Sequence, residues 1–126
     1  MVIACLNNYE GIVKYLVENG TDINKENKYG LTPLLIACHQ GNENIVKYLV
    51  EYGADINKEN IRGSTPLLAA CEKGHENIVK YLTEYGADIN KENKYGSTPL
   101  LAACDKGHEN IVKYLTEHGA DINKKK

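Results

Sequence analysis

Apolar and polar positions along this chain follow an order that returns every 33 residues. In the second copy, Thr32-Pro33 leads into the apolar block Leu34, Leu35, Ile36, Ala37 and Cys38, and Gly41 closes it. Thr32 can cap a helix, and Pro33 suits the first helical position, where its missing N–H costs nothing. A short helix over 32–41 is therefore predicted, with Gly41 as its stop. Ile45, Val46, Tyr48 and Leu49 then form a stripe at helical spacing, which predicts a second helix capped by Asn42 and ended by Gly53. Ala54 to Gly63 is rich in Asp, Asn and Gly, and reads as an extended finger or hairpin anchored by Ile56.

Helices this short are marginal alone. Glu43 and Lys47, Glu76 and Lys80, and Glu109 and Lys113 stand four apart in the favourable order, each pair contributing only about 0.2–0.5 kcal/mol. A unit of this size cannot bury its own apolar face, so the copies must stack. Small residues at Ala37, Ala70 and Ala103 should let the first helices of neighbouring copies approach closely.

The copies are nearly the same text. Residues 60–92 and 93–125 differ at five positions, and residues 27–59 and 60–92 at eight. The first copy, residues 1–26, lacks the Gly-x-Thr-Pro lead-in, because Met1 falls where the others have Leu34, Leu67 or Leu100. This truncation and the absence of polar end copies fit a segment of a longer array. Val2, Ile3, Ile12 and Val13 are then expected to be partly exposed at one end, and Ile111 and Leu115 at the other. End-to-end self-association or fraying of the ends would follow.

Composition narrows the function. The chain has 126 residues, 42% hydrophobic and 25% charged, as expected of a folded domain. A net charge of −2 with interspersed signs offers no basic field for nucleic acid. Lys124 to Lys126, the one basic run, reads as a solvated tail. No apolar stretch approaches the roughly 20 residues of a membrane span, and Met1 to Leu6 lacks the features of a signal peptide. The expected location is the cytosol or nucleus. Cys5, Cys38, Cys71 and Cys104 keep the repeat period, so stacked neighbours should sit about 8–10 Å apart, beyond disulfide reach. With no close Cys pair for zinc, they read as small core hydrophobes in a reducing compartment.

Gly30-Leu31-Thr32-Pro33-Leu34-Leu35-Ile36-Ala37, then Gly41, Ile45-Val46 and Gly53-Ala54-Asp55-Ile56-Asn57 resemble the ankyrin repeat over essentially the whole chain. The resemblance implies an all-α solenoid of stacked helix-turn-helix units with projecting β-hairpin or loop fingers. Residues 1–126 would be one domain, with units 1–26 (truncated), 27–59, 60–92 and 93–126. It also implies a protein–protein interaction module or scaffold that grips a protein or peptide through its concave side, with no cofactor. One departure is that Leu35, Leu68 and Leu101 replace the family's usual His, which commonly ties backbone between repeats. Asn24, Asn57, Asn90 and Asn123 match a position that asparaginyl hydroxylases modify in some members.

Positions facing a neighbouring repeat are restricted, whereas solvent-facing ones can drift. The differences between copies cluster at finger tips and first-helix ends: Lys28/Ile61, Tyr29/Arg62, Leu31/Ser64, His39/Glu72 and Gln40/Lys73. The fourth copy continues these rows with Lys94, Tyr95, Ser97, Asp105 and Lys106. Tyr and Arg are frequent interface hot spots, which makes Tyr29, Arg62 and Tyr95 the candidate anchors of a partner. Tyr48, Tyr81 and Tyr114 are expected to pack, and His75 and His108 to bond within turns. Near-identical copies present the same groups at each interval instead of converging different ones, which argues against an enzyme. Rival readings are a structural spacer with no dedicated partner, favoured by the near-identity of the copies, and a consensus-like designed array, disfavoured by the irregular first copy.

Overall fold

The computed structural model describes residues 1–123, so the lysine run 124–126 lies outside the described residues. Its helices are α1 (Val2–Leu6), α2 (Glu10–Glu18), α3 (Pro33–Gln40), α4 (Glu43–Glu51), α5 (Pro66–Lys73), α6 (Glu76–Glu84), α7 (Pro99–Asp105) and α8 (Glu109–Glu117). They form two rows. The inner row is α1, α3, α5 and α7 side by side, and the outer row is α2, α4, α6 and α8. Each inner helix also packs on the outer helix that follows it in the chain. No strand occurs among the described residues, so the architecture is an all-α stack of helix-turn-helix units. Within it, Ala37, Ala70 and Ala103 are fully buried.

The inner helices start as the sequence predicts. The hydroxyl oxygens of Thr32, Thr65 and Thr98 accept the N–H groups of Leu35, Leu68 and Leu101, each at 3.2 Å. Such a cap contributes about 1 kcal/mol. The outer helices start differently from the expectation. Asn42 makes no side-chain bond to its own helix; its amide donates to the Cys5 carbonyl of the preceding unit at 2.9 Å. His75 and His108 reach back in the same way, with Nε2 3.0 Å from the His39 carbonyl and 3.2 Å from that of Glu72.

Leu35 and Leu68 are buried where the family's tying His would stand, and the polar ties between units lie elsewhere. Asn24 donates to the Gly53 carbonyl at 3.3 Å and accepts the Asp55 N–H at 2.7 Å. Asn57 repeats this double bond with Gly86 and Asp88, and Asn90 with Gly119 and Asp121. These are the asparagines that the family resemblance singled out. Their amides buckle one unit to the next.

Comparing equivalent residues reveals which way each face looks. Ile45, Ile78 and Ile111 are at most 2% exposed, whereas Ile12, with no unit before it among the described residues, is 50% exposed. That position faces the preceding unit. Val13, Val46 and Val79 are fully buried, whereas Val112 is half-buried, so the adjacent position faces the following unit. This polarity corrects the expectation for the two ends. Val13, Ile111 and Leu115 are buried, because each meets a covered neighbour or its own helix pair. Val2 is half-buried, and only Ile3 and Ile12 of that group are exposed.

Tyr48, Tyr81 and Tyr114 are half-buried against the outer row. The Tyr114 hydroxyl lies 2.8 Å from Thr83 Oγ1. Tyr48 and Tyr81 enclose hydroxyls that have no such partner, because Val17 and Val50 stand where Thr83 stands.

Candidate functional site

Each finger is built by one asparagine. The Asn27 side-chain oxygen accepts the N–H groups of Tyr29 and Leu31 at 2.9 and 3.0 Å. Asn60 holds Arg62 and Ser64 at 2.8 and 3.1 Å, and Asn93 holds Tyr95 and Ser97 at 2.9 and 3.0 Å. The backbone closes the same loop, with Asn27, Asn60 and Asn93 donating to the carbonyls of Leu31, Ser64 and Ser97. The fingers are thus tight loops and not laddered hairpins. Successive fingers touch through backbone bonds, Ile61 N–H to the Tyr29 carbonyl at 3.3 Å and Lys94 N–H to that of Arg62 at 2.9 Å, and the Asn93 amide adds a bond to Ser64 Oγ at 3.3 Å.

Between the finger row and the inner helices runs a groove of about 460 Å³. Val2, Leu6, Leu31, Leu35 and Ile36 make an apolar end, while Arg62, Glu72, His39 and Gln40 supply charge and hydrogen-bonding groups. Tyr95 and Ser64 also line it. Of the candidate residues, the groove therefore gathers Leu31, His39, Gln40, Arg62, Ser64, Glu72 and Tyr95. Lys28, Tyr29, Ile61 and Lys94 are exposed on the tips but outside its lining, as are Lys73, Asp105 and Lys106 at the inner-helix ends. Ser97 is 8% exposed, and its N–H donates to the Asn93 side-chain oxygen.

A family model described as ankyrin repeats in three copies matches residues 1–60 and 58–126. The chain belongs to the ankyrin repeat family. Among curated proteins, none matches the chain closely enough to mark a relative. Ankyrin repeats are generally protein-interaction modules, and the family is typically non-enzymatic. No helix among the described residues is long and apolar enough to cross a membrane.

Electrostatics divide this ankyrin stack into paired and unpaired charge. Lys58 pairs with Glu26 and Lys91 with Glu59, each at 3.6 Å, and Lys47 and Lys80 pair with Glu43 and Glu76 along their own helices. Arg62, Lys73, Lys94 and Lys106 make no such ion pair among the described residues. The Lys28 ammonium lies 5.1 Å from the Tyr29 ring centre. Partial desolvation, then the nearby Lys73 charge, lowers the His39 imidazole from its ordinary value.

The four cysteines are free, and Cys5, Cys38 and Cys71 are buried as expected. Burial pushes the Cys5 thiol up to about 11 and the other two further, which keeps them protonated and unreactive. Cys104 departs from the expectation and is exposed, because its position faces the following unit and nothing described covers it there.

Several lining residues were not singled out from the sequence. Asn27, Asn60 and Asn93 are the same in every finger, so differences between copies could not flag them. Position 36 does differ, Ile36 against Ala69, and both line the groove. That variation was a usable signal.

Proposed function

We propose that residues 1–126 act as one ankyrin repeat domain that binds a protein or peptide segment in the groove between its fingers and inner helices. The observation that carries this reading is the groove's make-up: an apolar end adjoining a charged stretch, on a scaffold whose other surfaces are regular repeats. The residue types fit, since Arg62 and Tyr95 are the kind that dominate binding energy when a partner covers them. Charge narrows the partner. The finger tips and inner-helix ends carry Lys28, Arg62, Lys73, Lys94 and Lys106 against Glu72 and Asp105, in a chain of net charge −2. An acidic segment bearing an apolar residue would set that residue on the apolar end of the groove and its charge toward Arg62 and the lysines that flank the lining.

Replacing Arg62 and Tyr95 together by alanine should weaken capture of such a partner by at least ~30-fold, as hot spots of about 2 kcal/mol or more require. Tyr29→Ala, outside the lining, should change affinity far less. Affinity capture from a source lysate followed by titration of the captured partner makes the comparison. An unchanged partner set and affinity for the double variant would refute the groove as the binding site.

A further inference from the structure

Among the side chains that line the groove, His39 alone has an ordinary pKa between about 5 and 8. Its ring is exposed at the end of α3 and has no hydrogen-bond or ion-pair partner among the described residues. Its backbone, by contrast, is held, because the His75 ring of the next unit stands with Nε2 3.0 Å from the His39 carbonyl. A partner in the groove would therefore meet a fixed, uncommitted imidazole. The equivalent positions in the following units are Glu72 and Asp105, which cannot gain positive charge.

One proton changes the sign of the lining. With the imidazole neutral, Arg62 stands against Glu72 and the lining has no formal net charge. With it protonated, one positive charge is left over. We infer that protonation of His39 strengthens the groove's hold on an acidic segment, so that binding takes up a proton at this ring. This rests on the groove being the binding site.

The groups around His39 give the direction. Partial desolvation disfavours the charged ring most, Lys73 on α5 and His75 just before α6 disfavour it further, and Glu72 on α5 opposes them. Of the other helices packed on α3, α1 carries only the buried Cys5 thiol, and Glu43 at the near end of α4 is paired with Lys47. Arg62 and Tyr95 share the lining from the fingers. A partner's carboxylates beside the ring would offset Lys73, so the bound ring keeps its proton to a higher pH than the free one. Affinity is then constant at high pH, rises as pH falls through the bound-state pKa, and levels off once the free ring is protonated too.

The test is isothermal titration calorimetry of the chain with a synthetic peptide of glutamates bearing one leucine, from about pH 8 to about pH 5.5, where the peptide stays ionised. Affinity is expected to rise about fivefold over that range, the size an exposed charge pair supports. Titrations in buffers of different ionisation heat should register the proton uptake. His39→Gln, at an exposed position, should bind with one affinity throughout, whereas His118→Gln, just beyond α8 and away from the lining, should keep the rise. A rise that survives His39→Gln would overturn the proton coupling. So would a flat wild-type profile in which Arg62→Ala still weakens binding, and that result would leave the groove as the site. A peptide that binds at no pH, or binds undiminished when Arg62 and Tyr95 are both replaced by alanine, would overturn the groove and the coupling together.

Discussion

Leu68→Ala is expected to lower the unfolding free energy by about 2–5 kcal/mol, read as a shift in the urea midpoint followed by circular dichroism. Leu68 is fully buried on α5, the inner helix that packs on both α3 and α7. Truncation leaves a cavity that neither neighbour can close without losing its own contacts. Domains of this size have only some 5–15 kcal/mol in total, so the loss is a large share. Leu101, its equivalent on α7, is half-buried and has a neighbouring inner helix on one side among the described residues. Leu101→Ala should cost clearly less. Equal costs at the two positions would contradict packing between units as the source of stability.

Gly30→Ala should be nearly as damaging, through the backbone. Gly30 has φ of +75°, a conformation that costs a residue with a Cβ about 1–2 kcal/mol. An added Cβ would also stand 2.9 Å from the Ile61 nitrogen, which is itself bonded to the Tyr29 carbonyl of the preceding finger. Rigid backbone cannot yield as a side chain can, and forced overpacking adds about 1–3 kcal/mol. Gly53 is the control: its φ is +100°, but nothing lies within 4 Å of a Cβ built there. Gly53→Ala should show the conformational part alone. Thermal denaturation of both variants separates the terms, and similar midpoints would remove the clash from the argument.

Much of this was legible before any coordinates. The Thr-Pro lead-in fixed the inner helices to within a residue because its caps are local, needing only three neighbouring positions. The stacking itself followed from repetition. What escaped the sequence is what depends on another unit. Gly41 reads as a helix stop, yet a Cβ there would also stand 2.6 Å from the His75 ring of the next unit. Asn42 has the right chemistry for a cap, but the Cys5 carbonyl of the preceding unit takes its amide instead. The two ends were misassigned at Val13, Ile111 and Leu115 because apolar periodicity says a residue is buried, not which neighbour buries it. Comparison of copies flagged Arg62 and Tyr95, which line the groove, together with Tyr29 and Ser97, which do not, since variability marks freedom to change and not position along the lining.

Translational packing of the units is the premise beneath groove and fingers alike, and residue-resolved amide hydrogen exchange at dilute protein tests it most directly. A stack in which each unit is held only by its neighbours should be best protected in α3 to α6 and progressively less so toward α1 and α8, which have a partner unit on one side among the described residues. Uniform protection from α1 to α8, or greatest protection at either end, would contradict it.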